Sequence, residues 1–268
     1  MGLEKLWIVL IVCAVLCAVG FYKYVYFLSI GYGLAVAGGA VAIALLFLDG
    51  LEPVHILLLA LFIAYGVRLS GFLLVRELKN AAYRRTLTEV AGDEKAMPVF
   101  VKFAIWVSVA VLYTAQVSPV FYRLYNGTAT GALPFIGAAV SLFGLVLEAV
   151  ADRQKSAQKA VNPSMVATQG LYRLVRCPNY LGEIVFWTGV FVGALDALTG
   201  AGQWILAVFA YLCIVMVMVN GAQRLEKRQH ARYGADPAYR RYAGTTPILF
   251  PFIPLYHLCK EAKQEADQ

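Results

Sequence analysis

Seven apolar runs leave this chain few ways to fold. They lie near residues 5–23, 29–48, 54–75, 99–119, 131–150, 180–198 and 203–221. About 20 apolar residues cross a hydrocarbon layer of about 30 Å as a helix. In lipid the backbone must satisfy its own hydrogen bonds, so such runs become helices rather than open sheets. Composition agrees. The chain is 60% hydrophobic and 15% charged, whereas soluble domains are about 45–50% apolar and about 25% charged. The first run carries neither a basic leader nor a small-x-small cleavage site, so it reads as a retained span. The expected fold is an all-α integral membrane protein. It is a seven-transmembrane helix bundle over residues 1–268, in one transmembrane domain without repeats.

The net charge of +7 is unevenly placed. One loop carries Arg76, Lys79, Arg84, Arg85 and Lys95. A second carries Arg153, Lys155, Lys159, Arg173 and Arg176. The tail carries Arg224, Lys227, Arg228, Arg232, Arg240 and Arg241. The intervening loops are poor in cations: Asp49 to Pro53 is acidic, Ser118 to Gly131 holds only Arg123, and Ala194 to Gln203 holds none. Positive loops stay cytoplasmic. The N-terminus is therefore expected outside and the C-terminus in the cytoplasm. Beyond the last run, Gly234-Ala-Asp-Pro signals a turn. A short helix is expected to follow and to end before Thr246-Pro247. The stretch Ile248 to Leu258 reads as a membrane-surface or re-entrant piece.

The cysteines (Cys13, Cys17, Cys177, Cys213, Cys259) form no CxxC, and His55, His230 and His257 are scattered. Neither a disulfide framework nor a metal site is expected. No GxGxxG follows a strand, which argues against a Rossmann cofactor domain.

Three polar groups fall at the cytoplasmic face. Asp152, Arg153, Gln154 and Lys155 close the fifth run. Arg173, Arg176, Asn179 and Glu183 open the sixth. Arg224, Glu226, Lys227, His230 and Tyr233 follow the seventh. If 173–183 is helical, Arg173 and Arg176 share a face as a phosphate clamp, with Asn179 and Glu183 on one face a turn deeper. Cations for phosphates, amides and carboxylates for ribose or a carboxamide, and aromatics for stacking suit an anionic nucleotide. A basic belt for lipid head groups explains the arginines but not Asp152, Asn179 and Glu183. Deeper, Tyr65 lies one turn before Arg68, with Glu52 and Glu77 towards the two ends of the third run. A buried tyrosine can assist a carbonyl as charge develops on its oxygen. By spacing alone Tyr65 reads first as an ordinary packing aromatic, one of sixteen tyrosines in the chain. Tyr22, Tyr24, Tyr26 and Phe27 read as an interfacial aromatic belt.

The stretch GLYRLVRCPNYLGEIVFW at 170–187 resembles the C-terminal signature of the membrane steroid 5-alpha-reductase family and its bacterial relatives. Ala151-Asp-Arg-Gln-Lys155 resembles that family's A-D-x-Q-K element, and Arg68-Leu-Ser-Gly its R-L-x-G helix. The tail Leu225-Glu-Lys-Arg to Thr246-Pro247 resembles its closing segment. The resemblance covers about residues 60–255 in order. It implies hydride transfer from NADPH to the β carbon of an enone, with a tyrosine at the ketone. By this resemblance Tyr65 is the catalytic tyrosine and Glu52, at a shorter spacing than the family's, its carboxylate partner. Asp152, Lys155, Arg173, Arg176, Asn179, Glu183, Arg224, Glu226, His230 and Tyr233 would bind the cofactor, most of whose site falls within 145–255.

Isoprenylcysteine and phospholipid methyltransferases share this architecture and an R-H-P-x-Y-x-G element, and they use S-adenosylmethionine. Cys177 in place of their histidine, and Arg224-Leu-Glu226-Lys227 in place of their paired glutamates, favour the reductase. The expected partners are a lipid-like enone or steroid and membrane lipids, with no nucleic acid, and a monomer suffices. The expected location is a bacterial inner membrane or the endoplasmic reticulum, with the cofactor site on the cytoplasmic side. A non-enzymatic lipid-binding or scaffolding protein is the remaining reading.

Overall fold

The structure, a computed structural model, describes residues 3–81, 83, 84, 87 and 97–259. Arg85 and Lys95 of the first basic loop lie outside these residues. Among the described residues the regular elements are helices: α1 (Leu3–Cys17), α2 (Ile30–Leu46), α3 (Pro53–Lys79), α4 (Val99–Tyr125), α5 (Leu133–Val161), α6 (Pro178–Val192), α7 (Ala201–Tyr233) and α8 (Pro237–Thr245). Among the described residues five segments are long and apolar enough to cross a membrane: Glu4–Phe21, which extends α1, and helices α3, α4, α5 and α7. The expectation of seven is therefore met only in part. The run at 29–48 becomes a helix of 17 residues and the run at 180–198 one of 15. Apolar sequence there continues past the end of the helix. The chain is a multi-pass helical membrane protein.

Helices also outlast hydropathy. The fifth run reads as apolar to 150, but α5 continues to Val161. The seventh reads to 221, but α7 continues to Tyr233. Hydropathy marks where lipid ends, whereas a helix continues until something stops it. Gly234 donates its N–H to the His230 carbonyl at 2.7 Å, and Asp236 caps α8 through the Ala238 N–H at 2.8 Å with Pro237 in the first turn. That is the turn and short helix expected from the sequence.

The chain divides into two compact units. The first comprises Met1–Ala138 and Val190–Ala210. In it α2 and α3 cross where a Cβ on Gly33 or on Gly66 would meet the other's carbonyl oxygen. Small residues let helix backbones approach closely in lipid. Ser70 Oγ ties the crossing to the Ile30 carbonyl at 2.8 Å. Pro119 inside α4 cannot donate to the Ala115 carbonyl, and the Ser118 hydroxyl does so instead at 2.8 Å. Tyr26 of the aromatic belt donates to buried Glu77 at 2.9 Å, and Lys23 pairs with the same carboxylate at 2.5 Å. Glu77 thus anchors the 3-10 segment Tyr24–Leu28 to α3.

The second unit comprises Ala139–Gly189 and Tyr211–Gln268. Here α5 and α6 cross backbone to backbone. A Cβ on Gly144 would stand 2.6 Å from the Gly182 carbonyl, and one on Gly182 would stand 2.8 Å from the Gly144 carbonyl. This crossing holds the start of α6 beside the polar end of α5.

Candidate functional site

In the second unit the loop between α5 and α6 is held by two glutamines. Gln158 Oε1 accepts from the Thr168 and Gln169 N–H groups, both at 2.9 Å, and Gln154 Oε1 accepts from Leu171 N–H at 2.8 Å. The A-D-x-Q-K element is in part a device for shaping this loop, a role not foreseen from sequence. Gly170 closes the device. Its φ of 66° lies in the left-handed region, and a Cβ there would run into the Gln154 amide. Left-handed backbone costs an L-residue about 1–2 kcal/mol. Gly170→Ala is therefore expected to lower stability by at least that amount in thermal unfolding, and an unchanged midpoint would contradict the assignment.

The tail clamps the same segment. Arg176 and Cys177 donate their N–H groups to the Pro247 and Ile248 carbonyls, each at 2.9 Å, and the Tyr242 hydroxyl donates to the Tyr172 carbonyl at 2.7 Å. Burial pushes the Cys177 thiol up to about 11, so it stays a neutral packing group rather than a nucleophile.

Arg173 and Arg176 do not form the expected clamp. The chain makes a 3-10 turn over Gly170–Arg173, breaks, and resumes as α6 at Pro178. Arg173 is exposed and donates to the Gln169 side chain at 2.6 Å. Arg176 is buried and pairs with buried Glu226 at 2.7 Å. Glu226 also accepts from the Leu258 and Cys259 N–H groups, at 2.7 and 2.9 Å, and meets His257 Nδ1 at 3.1 Å. Two residues assigned to the cofactor are thus engaged with each other and with the tail. The physical reason is burial, because a charge removed from water needs an opposite charge and filled hydrogen bonds.

The other assigned residues of this unit do converge. Asn179 and Glu183 sit four apart on α6, on one face, as expected. Asp152 is within electrostatic reach of Tyr172, Lys155 of Cys177, and Arg224 and Arg228 of Tyr180. The polar end of α5, the first turn of α6 and the polar end of α7 therefore face one another. Asn179 Oδ1 is buried there without a hydrogen-bond partner. His230 and Tyr233 lie half-buried in the last turn of α7. The Tyr233 hydroxyl accepts from Lys159 Nζ at 3.2 Å, and its ring is 6.0 Å from that of Tyr239. Chemically, this unit offers cations, an unmet acceptor on Asn179 and an aromatic wall.

In the first unit Tyr65 is fully buried, and its hydroxyl donates to that of Tyr32 at 3.0 Å. Tyr32 stacks on Tyr113, with centroids 4.9 Å apart, and Tyr113 donates to the Phe27 carbonyl at 2.6 Å. Glu52 is not the partner of Tyr65. It is the exposed N-cap of α3 and forms a capping box with His55. Thirteen residues of helix, about 20 Å, separate it from Tyr65. Its carboxylate accepts from Thr130. Sequence reading missed Tyr32, because a hydroxyl in an apolar helix carries no charge to flag it.

A family model described as "Protein of unknown function (DUF1295)" matches residues 20–246. An uncharacterized protein of Schizosaccharomyces pombe is 26% identical over 182 residues, which is 60% of this chain and 52% of that protein. The chain thus spans about half the length of that curated relative. No solved structure matches the chain.

Proposed function

This chain belongs to the DUF1295 family of proteins of unknown function, and from that premise we propose that it is an NADPH-dependent reductase of lipid enones, with 3-oxo-Δ4-steroids as the model substrate. The stretch at 170–187 resembles the C-terminal signature of the membrane steroid 5-alpha-reductase family. The observation that carries the reading is the convergence of Lys155, Arg224 and Arg228 around the first turn of α6, where Asn179 Oδ1 is an unmet buried acceptor. Clustered cations suit a polyphosphate. The unmet acceptor suits the N–H or O–H of a nicotinamide carboxamide or a ribose. S-adenosylmethionine carries no phosphate and a positive sulfonium, so this charge pattern favours it less.

Lys155, Arg173, Arg224 and Arg228 would hold the phosphates, with Asn179, Glu183 and Asp152 on the polar groups between them and Tyr233 as an aromatic wall. Arg176 and Glu226 would shape the site without touching the ligand. When bound, NADPH supplies the hydride for the β carbon of the enone. Tyr65 would turn its hydroxyl proton from Tyr32 to the ketone oxygen and donate to it as negative charge develops, with Tyr32, rather than Glu52, then donating to the Tyr65 oxygen. Apolar helices keep water from the reacting atoms. We further propose that α2 and α6 also cross the membrane with their flanking apolar residues. That gives seven spans, with the N-terminus outside and the C-terminus beside the cofactor in the cytoplasm.

Asn179→Ala is expected to weaken NADPH binding about tenfold, the usual size for one lost buried hydrogen bond in a recognition site. Equilibrium titration of NADPH into the detergent-purified variant measures this. Wild-type affinity in both Asn179→Ala and Glu183→Ala would remove the nucleotide from this site.

A further inference from the structure

Five consecutive residues of the second unit are both apolar and exposed: Pro251, Phe252, Ile253, Pro254 and Leu255. A surface that faces water avoids such a run. The loop is nonetheless well held. Ile248 donates its N–H to the Leu255 carbonyl at 2.8 Å and closes the base. Ile248 and Leu249 are buried, and the Pro247 and Ile248 carbonyls accept from the Arg176 and Cys177 N–H groups. After the loop, Arg176 donates to the Tyr256 carbonyl, and Glu226 holds the Leu258 and Cys259 N–H groups. The result is a fixed thumb that carries Phe252 97% exposed.

The backbone of the thumb suits lipid. Pro251 and Pro254 have no N–H, while Ile253 and Leu255 donate to the Phe250 and Ile253 carbonyls at 3.3 and 2.7 Å. These four residues bring no unmet N–H into hydrocarbon, where one is expensive. A segment built to pair with a partner's strand would instead offer its donors. The level of the thumb agrees. Glu226 lies past the apolar run that ends at 221, by about 8 Å along α7. Gln223, which donates to the Leu258 carbonyl at 3.2 Å, lies about 3 Å past it. The head-group layer is about 5–8 Å thick on each side of a bilayer. The base of the thumb thus stands among head groups, and three residues of extended chain, about 10 Å, are enough to bring Phe252 to the hydrocarbon.

Charge points the same way. Tyr239 and Ala243 of α8 pack inward against Val166, whereas Arg240 and Arg241 are exposed. α8 leads into the thumb through Thr246 and Pro247, so these two cations stand beside its base, where basic residues draw anionic lipid. We propose that residues 250–255 insert into the leaflet on the C-terminal side of the membrane, with Arg240 and Arg241 on anionic head groups. The partner of this surface is lipid, and the contact pins the tail that packs on Arg176 and Glu226. The inference rests on α7 crossing the membrane and not on the reductase reading.

The test places a nitroxide on Phe252→Cys in the full-length protein in lipid nanodiscs. Cys213, the half-buried thiol, is changed to serine, and the other four cysteines are buried. Met216→Cys, at an exposed position of α7, and Ala235→Cys, in the turn after α7, give the lipid and water references. Collision rates with oxygen and with a neutral nickel chelate are compared. The oxygen-to-nickel ratio at 252 is expected to match that at 216 and to exceed that at 235 by about tenfold, because a polar chelate is excluded from hydrocarbon. Ile253→Cys is the second variant, and both native side chains are more than half exposed, so neither change disturbs packing. The ratio should rise further when phosphatidylglycerol replaces half of the phosphatidylcholine, and Arg240→Gln/Arg241→Gln should abolish that rise. Ratios near the value at 235 for both variants overturn the proposal. Low access to both reagents overturns it as well, since protein rather than lipid would then cover the loop. No response to phosphatidylglycerol overturns the part given to the two arginines.

Discussion

Tyr65→Phe is expected to lower enone turnover by about 10²–10⁴-fold, the range for loss of a positioned proton donor, while NADPH affinity stays within about twofold. The hydroxyl is fully buried and held 3.0 Å from that of Tyr32, within a cluster fixed by stacking on Tyr113, and it would give its proton to the ketone while Tyr32 donates to it. Removing one oxygen leaves the ring and its packing in place. Tyr65 is assigned to the enone and not to NADPH, so the affinity for NADPH is expected to stay. Single-turnover rates and NADPH titration on the same preparation check both halves. Equal loss of affinity and turnover would make Tyr65 a structural residue. Tyr32→Phe should give a smaller loss, since it removes the group that orients Tyr65 and not the donor itself.

Glu226→Gln is expected to cost about 3–5 kcal/mol, the range for removing one partner from a buried ion pair, out of a total stability of about 5–15 kcal/mol. The change leaves the Arg176 guanidinium without its counter-charge. It also turns an amide NH2 towards donors, because both carboxylate oxygens already accept, from Arg176 and His257 on one side and from the Leu258 and Cys259 N–H groups on the other. The double variant Arg176→Met/Glu226→Leu should be less damaging than either single change, since it removes both charges together. Thermal unfolding in detergent reads the cycle. An unchanged midpoint for Glu226→Gln, or strictly additive losses, would contradict the structural role.

The sequence makes the helices legible where the physics is one-dimensional. Runs of apolar residues find α1 to α7 because lipid selects for them, and Gly234-Ala-Asp-Pro finds the turn before α8. Helix ends at Val161 and Tyr233 are not legible, since the charged residues there are good helix formers and nothing in hydropathy stops them. In the candidate site, Asn179 and Glu183 are legible because four residues on a helix always share a face. The Arg173–Arg176 clamp fails because it assumes a helix that breaks before Pro178. The Arg176–Glu226 pair spans fifty residues, and no local pattern encodes a contact that distant. One signal did exist: Glu226 stands among Arg224, Lys227 and Arg228, and a carboxylate there implies a cationic partner. The same argument, applied to Arg123 as the lone cation of its loop, points towards Asp196.

Ligand-induced thermal stabilisation of the purified protein, with NADPH, NADH and S-adenosylmethionine compared in parallel, tests the nucleotide site most directly. A ligand that binds only the folded state, present at about 100 times its dissociation constant, adds about 2.7 kcal/mol, which is readily resolved. The reductase account predicts a clear rise in the midpoint with NADPH and none with S-adenosylmethionine. A rise with S-adenosylmethionine alone, or with none of the three, would contradict it.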